Sequence, residues 1–231
     1  MQLPLLGQID KNFKKNKNMK KVLVYFIIGF SLLSCKGQNK EFNEYISNFQ
    51  EFKLPFLIDR RNTQYRLSTN EDYEIPANYI KKYICKDSTH CDYDQSKYRY
   101  TYGFKFKSKY TFVFLLKLTY GGKTCYDFDL IETLLIVYSK DGKIIDAKSI
   151  AKDNDCLQSS IWATEDSIRV QQIKETELDD FDEINKELDC EIETKIYQIG
   201  DDGYINLIKT EPIKRGVLIF DKNIDDFILK Q

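Results

Sequence analysis

The sequence predicts a mainly β fold, an antiparallel meander sheet, curled or barrel-like, with one or two short N-terminal helices. Three observations carry this expectation. Residues 98–120 alternate apolar and polar side chains with the period of two that separates the faces of a strand. Segments rich in branched residues follow, separated by turn sequences such as Lys140-Asp141-Gly142-Lys143 and Gly200-Asp201-Asp202-Gly203. Helical spacing is found only ahead of residue 85. The composition of the 231 residues, 42% hydrophobic and 31% charged with 10 Gly and 4 Pro, is that of a globular chain and excludes collagen-like or long disordered designs.

The first 34 residues read as an address. Lys20 and Lys21 precede an apolar run from Val22 to Leu33, broken only by Gly29 and Ser31. Twelve helical residues span about 18 Å, short of a hydrocarbon core of about 30 Å, so this is a signal-peptide pattern and not a membrane span. The run ends Leu32-Leu33-Ser34-Cys35 and resembles the lipobox of bacterial lipoproteins. That resemblance implies cleavage before Cys35, a diacylglyceryl group on its thiol and an acyl chain, palmitate for example, on the new amino terminus. Lys36 stands where some lipoproteins of this class carry an inner-membrane retention aspartate, which favours the outer membrane. Met19 abuts the basic pair and is the more natural start, with residues 1–18 upstream of it. The resemblance stops near residue 35, and the mature part resembles no characterised family.

Residues 35–231 are read as one domain, because no linker or fixed-period repeat interrupts them. They hold 29 basic and 35 acidic residues, a charge of −6. That balance gives no footing for a nucleic-acid partner. The envelope permits disulfides. Cys85 and Cys91 close a short loop and form the expected pair; Cys125, Cys156 and Cys190 leave their connectivity open, with one thiol over.

Phe42, Tyr45, Ile46 and Phe49 form one stripe of a helix within 39–51, and Pro76 opens a second over Tyr79, Ile80, Tyr83 and Ile84. Tyr98, Tyr100, Tyr102, Phe104 and Phe106, then Tyr110, Phe112, Phe114, Leu116 and Leu118, predict a hairpin about Lys107-Ser108-Lys109. Its aromatic face would be core, pairing Phe106 with Tyr110 and Phe104 with Phe112. Strands are expected over 130–138, 144–151, 160–164, 167–173, 188–196, 204–208 and 217–220.

Candidate chemistry is sparse. A single histidine, His90, removes most hydrolase triads, and no Gly-x-Ser-x-Gly elbow exists. Cys85, His90 and Cys91 lack a zinc-site spacing and a fourth ligand, so no metal is assigned to them. The acidic run from Glu177 to Glu183 lacks a calcium-loop pattern and reads as a solvated face. Asp153-Asn154-Asp155 reads as a turn, and so does Gly121-Gly122-Lys123-Thr124, which lacks the upstream glycine of a phosphate loop. No cofactor is assigned. Arg99, Lys105, Lys107, Lys109 and Lys117 would line the polar face of the hairpin, as a solvated charged face or as a ladder for an anionic ligand. The functional expectation is a lipid-anchored envelope protein that binds a protein or glycan, with an inhibitor- or immunity-like role as one form of that reading. The alternative is an envelope hydrolase that uses paired carboxylates.

Overall fold

The computed structural model describes residues 40–63, 71–85, 94, 97–120, 128–154, 159–165, 167–176, 187–223 and 226–230. The chain divides into two units, Met1–Glu44 and Tyr45–Gln231. Of the first, residues 40–44 are described and are helical. The second unit is mainly β with short helices, as the patterning predicted.

Helix α1 covers residues 40–47. Strands β1 (Gln50–Glu51) and β2 (Phe56–Ile58) follow, then α2 (Arg60–Thr63), a 3-10 turn (Glu71–Tyr73) and α3 (Ala77–Tyr79), which continues as a π turn (Ile80–Ile84). Ten further strands are β3 (Tyr98–Lys107), β4 (Thr111–Tyr120), β5 (Phe128–Tyr138), β6 (Ile144–Asn154), β7 (Ser160–Ala163), β8 (Ile168–Thr176), β9 (Glu187–Ile199), β10 (Ile205–Thr210), β11 (Lys214–Asp221) and β12 (Asp226–Leu229). Among the described residues they form a five-stranded sheet, β1-β3-β4-β5-β6, and a seven-stranded one, β12-β11-β9-β8-β7-β2, with β10 also on β9. All pairs are antiparallel except β1 with β3, and the larger sheet curls into a half-barrel. Gly142 and Gly203, with φ of 81° and 88°, make two of the predicted turns possible.

The helical stripe ends sooner than its periodicity suggested. Tyr45, Ile46 and Phe49 are buried, but helix α1 stops at 47 and Gln50–Glu51 instead pair with Phe104 and Lys105. β10 and β11 are two parts of one return path along β9. Glu211 still donates its N–H to the Thr194 carbonyl at 2.8 Å; Pro212, with no N–H, breaks the pairing there.

The predicted hairpin forms with two corrections. Its loop is Ser108–Tyr110, so Phe106 faces Phe112 and Phe104 faces Phe114, a register moved by two residues along β4. More consequentially, a bulge lies between Thr101 and Phe104. Three steps on β3 there match two on β4, because Thr101 faces Leu116. The alternation therefore changes phase: Arg99 and Thr101 share the face of Phe104 and Phe106, whereas Tyr98 and Tyr100 share that of Lys105, Lys107 and Lys117. The aromatic row is divided between the two faces.

Both faces have a core to serve. On one, Phe104, Phe106, Phe112, Phe114, Leu135 and Val137 meet Phe56, Ile58, Ile161, Ala163, Ile168, Val170 and Tyr197 of the larger sheet. On the other, Val113, Leu115, Ile136 and Tyr138 are fully buried beside the helical segments. There the Tyr45 ring stacks on Tyr83 at 4.8 Å and the Tyr45 and Tyr138 hydroxyls lie 3.2 Å apart. The Tyr138 hydroxyl donates to the Tyr83 carbonyl. Burial pushes both the Tyr45 and Tyr138 phenols upward in pKa, so they stay neutral and hydrogen-bonded.

Strand β9 divides its faces in a similar way. Tyr197 belongs to the core between the sheets, while Leu188, Cys190 and Ile192, of the opposite parity, form a separate cluster with Leu218 and Leu229. The predicted single apolar face over 188–196 thus covers only its first part.

Gly103 is the residue that permits the bulge. A Cβ there would lie 2.1 Å from the Phe114 carbonyl oxygen, a backbone atom that has no room to retreat. Gly103→Ala is expected to cost about 2–3 kcal/mol, read as a lowered midpoint in thermal or denaturant unfolding. An unchanged midpoint would contradict this account of the strand.

Candidate functional site

Four connections converge at one end of the two sheets: the link from β1 to β2, the β3–β4 loop, the β7–β8 turn and the β9–β10 turn. They enclose a cleft of about 560 Å³, within the range of small-ligand and peptide sites. Phe52, Phe106, Phe112, Ile168 and Ile199 supply its apolar lining. Phe106 and Phe112 are stacked at 4.4 Å, and Phe52 meets Phe104 edge-on at 5.0 Å. Lys53, Lys107 and Lys109, with Glu51, Glu165 and Asp201, bring charge to the same cleft.

The loops are held by their own hydrogen bonds. The Asp201 carbonyl accepts from the Lys109 ammonium at 2.6 Å and from the Tyr110 hydroxyl at 2.5 Å, tying the β3–β4 loop to the β9–β10 turn. Thr164 closes the β7–β8 turn, its Oγ1 accepting from the Ser167 N–H at 3.1 Å while its own N–H donates to the Ser167 carbonyl. Farther along the seam, the Ile205 N–H donates to Asp146 at 3.0 Å and Lys148 donates to the Ile205 carbonyl at 2.7 Å. These contacts bind edge strand β6 to β10 through side chains and occupy backbone groups that would otherwise be open.

The basic residues singled out in the sequence do not form one ladder. Arg99 is 5% exposed and lies on the opposite face from the others, 3.5 Å from Glu74. Lys105 is 6% exposed and donates to the Ile46 carbonyl at 2.7 Å, in the last turn of α1, where a cation complements the helix dipole. Burial and the neighbouring Lys107 lower its pKa, with Glu51 opposing them. Lys117 pairs with Glu132 at 3.0 Å and sits over the Tyr98 ring at 4.6 Å. Only Lys107 and Lys109 are exposed, and both line the cleft. The bulge and the helical cover over this sheet removed the solvent face that the alternation had suggested.

Other sequence candidates separate in the same manner. Cys35, His90, Cys91, Cys125, Cys156, the Glu177–Glu183 run and Gly121–Thr124 lie outside the described residues, and so therefore does the expected Cys85–Cys91 pairing. Cys190 is a buried free thiol whose pKa is pushed up by burial and by Asp189. Asp153 is buried and accepts from the Ser159 hydroxyl at 2.6 Å, which makes it an internal structural acceptor. Among the described residues no cluster of three His, Cys, Asp or Glu could hold a metal, and no helix is long and apolar enough to cross a membrane.

Sequence reasoning found three of the cleft's turns as turns but missed their convergence, and it missed Phe52, Lys53, Tyr110 and Thr164 as lining residues. No local pattern marks them. Their shared position depends on how two sheets meet. The chain matches no protein family, curated protein or solved structure with which it was compared.

The displaced carboxylates among the described residues all run downward. Hydrogen bonds from Lys214 and Lys209 hold Glu211 low, one from Lys195 holds Glu193 low, and the Ser139 hydroxyl does so for Asp141. For Glu132 burial would raise the pKa, but Lys152 and Lys117 outweigh it. A carboxyl lowered by folding stabilises the native state above its unfolded pKa, and that contribution is lost as pH falls through the folded value. Glu132→Gln should therefore cost about 1 kcal/mol at neutral pH, with the difference from wild type closing below pH of about 4 in denaturant titrations.

Proposed function

We propose that this protein is a lipid-anchored binding module of the cell envelope, tethered through Cys35, whose ligand occupies the cleft between the ends of the two sheets. The observation that carries the binding part is the cleft itself: an apolar lining with charged groups around it, framed by loops that internal hydrogen bonds hold in place. Preorganised loops lose little conformational entropy when a ligand docks. The membrane part rests on the lipobox-like residues Leu32-Leu33-Ser34-Cys35. Each buried methylene contributes about 0.8 kcal/mol, so two or more acyl chains hold a protein stably at a bilayer without inserting it. Lys36 favours the outer membrane, and in that oxidising setting a Cys85–Cys91 disulfide would brace the loop after the π turn.

Hydrolysis by paired carboxylates calls for one acid kept protonated by a raised pKa. Glu132, Asp141, Glu193 and Glu211 are drawn to the ionised form and lie outside the cleft lining, so none of these four is such an acid. An inhibitor or immunity-like role fits a tethered module whose cleft grips part of another envelope protein.

Metabolic labelling with radioactive palmitate should mark the wild-type protein and leave Cys35→Ala unlabelled and released from membranes; an unlabelled wild type would remove the anchor. For the cleft, Ser108→Trp places a bulky ring on an exposed lining position. It should abolish recovery of the partner that wild type captures from envelope extracts, with the unfolding midpoint unchanged. Equal recovery by both proteins would place the ligand elsewhere.

A further inference from the structure

We infer that the cleft takes an extended peptide segment carrying an acidic and a basic side chain on either side of an apolar one. This rests on the cleft being the binding site and goes further by naming what fills it. The charges reach the cleft from different parts of the fold. Lys53 and Lys107 belong to the link after β1 and to the end of β3, on the side of the five-stranded sheet, where the lysines outnumber the one carboxylate, Glu51; Glu165 and Asp201 come from the β7–β8 and β9–β10 turns of the seven-stranded one. Lys109 is engaged, since its ammonium is spent on the Asp201 carbonyl. Lys53 and Lys107 are exposed and pair with no carboxylate among the described residues, and Glu165 and Asp201 are exposed as well.

This arrangement selects by charge. A polyanion such as an acidic glycan would meet Glu165 and Asp201 as readily as the lysines, and a polycation would meet the lysines. A ligand with one charge of each sign, correctly ordered, satisfies both sides. The lining between them is aromatic and aliphatic, suited to one large apolar side chain. A peptide supplies such an order of groups along one chain, and a neutral glycan has no charges to match. β1 ends at Glu51 and Phe52 donates its N–H to the Lys105 carbonyl at 2.9 Å, so strand-like pairing already extends to the cleft.

The test uses purified full-length protein and fluorescein-labelled hexapeptides with a central Phe-Phe pair, read by fluorescence anisotropy. One peptide carries Glu before and Lys after the pair, one the reverse order, one Glu on both sides and one Lys on both sides. One of the two bipolar peptides should bind at least about fivefold more tightly than either single-sign peptide, the scale expected of exposed charge pairs. The Lys53→Glu, Lys107→Glu double variant should weaken that peptide about fivefold, and Glu165→Lys added to it should switch the preference to the peptide of reversed order. Equal binding of all four peptides, tightest binding of the Glu-only peptide, or no binding of any at millimolar concentration would overturn the inference. Ser108→Trp separates the two levels. If it blocks capture of the envelope ligand while no peptide binds, the cleft stands and its peptide occupant falls, a neutral oligosaccharide then being the class to try. If it blocks neither, the cleft itself falls.

Discussion

The structure depends on one strand group, β3 to β5, being buried on both of its faces. Runs such as Val113–Leu116 and Leu135–Tyr138 have no exposed side, and a strand in that position must present apolar side chains both upward and downward. The chain meets this demand in two ways. β4 and β5 use continuous apolar residues. β3 keeps an alternating pattern and changes its phase through the bulge next to Gly103, so that its tyrosines serve the helical side and its phenylalanines the side of the other sheet. The buried hydroxyls of Tyr45 and Tyr138 on the helical side are matched by hydrogen bonds, that of Tyr138 reaching the π turn at the Tyr83 carbonyl.

That double burial also accounts for the fate of the basic residues. Charged groups on a strand covered from both sides must leave it or find partners, because an unpaired buried charge costs far more than one in water. Arg99 lies by Glu74, Lys117 by Glu132, and Lys105 reaches a helix-end carbonyl. Only at the strand end, where the cover stops, do Lys107 and Lys109 emerge. The same end is where the inter-sheet core runs out, and its last aromatic rings, Phe106 and Phe112, become the lining of the cleft. Core and site are thus one continuous layer, and the cleft's shape follows from the point at which the packing ends.

Much of this fold was legible in the sequence because its signals are local. Alternation with a period of two marked the strands, and Gly142 and Gly203 lay within turn sequences recognisable from their residues alone. Helix α1 and the segment from Pro76 announced themselves by apolar spacing, although Gln50–Glu51 left the helix because pairing with β3 was available to them. The bulge was not legible from the alternation, since five aromatic residues at even positions look identical whether or not the strand changes phase between them. A cue did exist: Gly103 interrupts the polar half of that pattern, and a glycine inside a strand often marks such a kink. The continuous runs of β4 and β5 carried a second cue, that this sheet has no solvent face.

By itself the sequence determined the mainly β class and the positions of most strands and turns. Each of these is a property of neighbours along the chain. The tertiary structure alone decided which face each side chain of β3 serves, which lysines remain exposed, and that Lys53, Lys107, Glu165 and Asp201 share one cleft. Those residues lie far apart in the chain, and only sheet packing and register bring them together, so no spacing in the sequence records it.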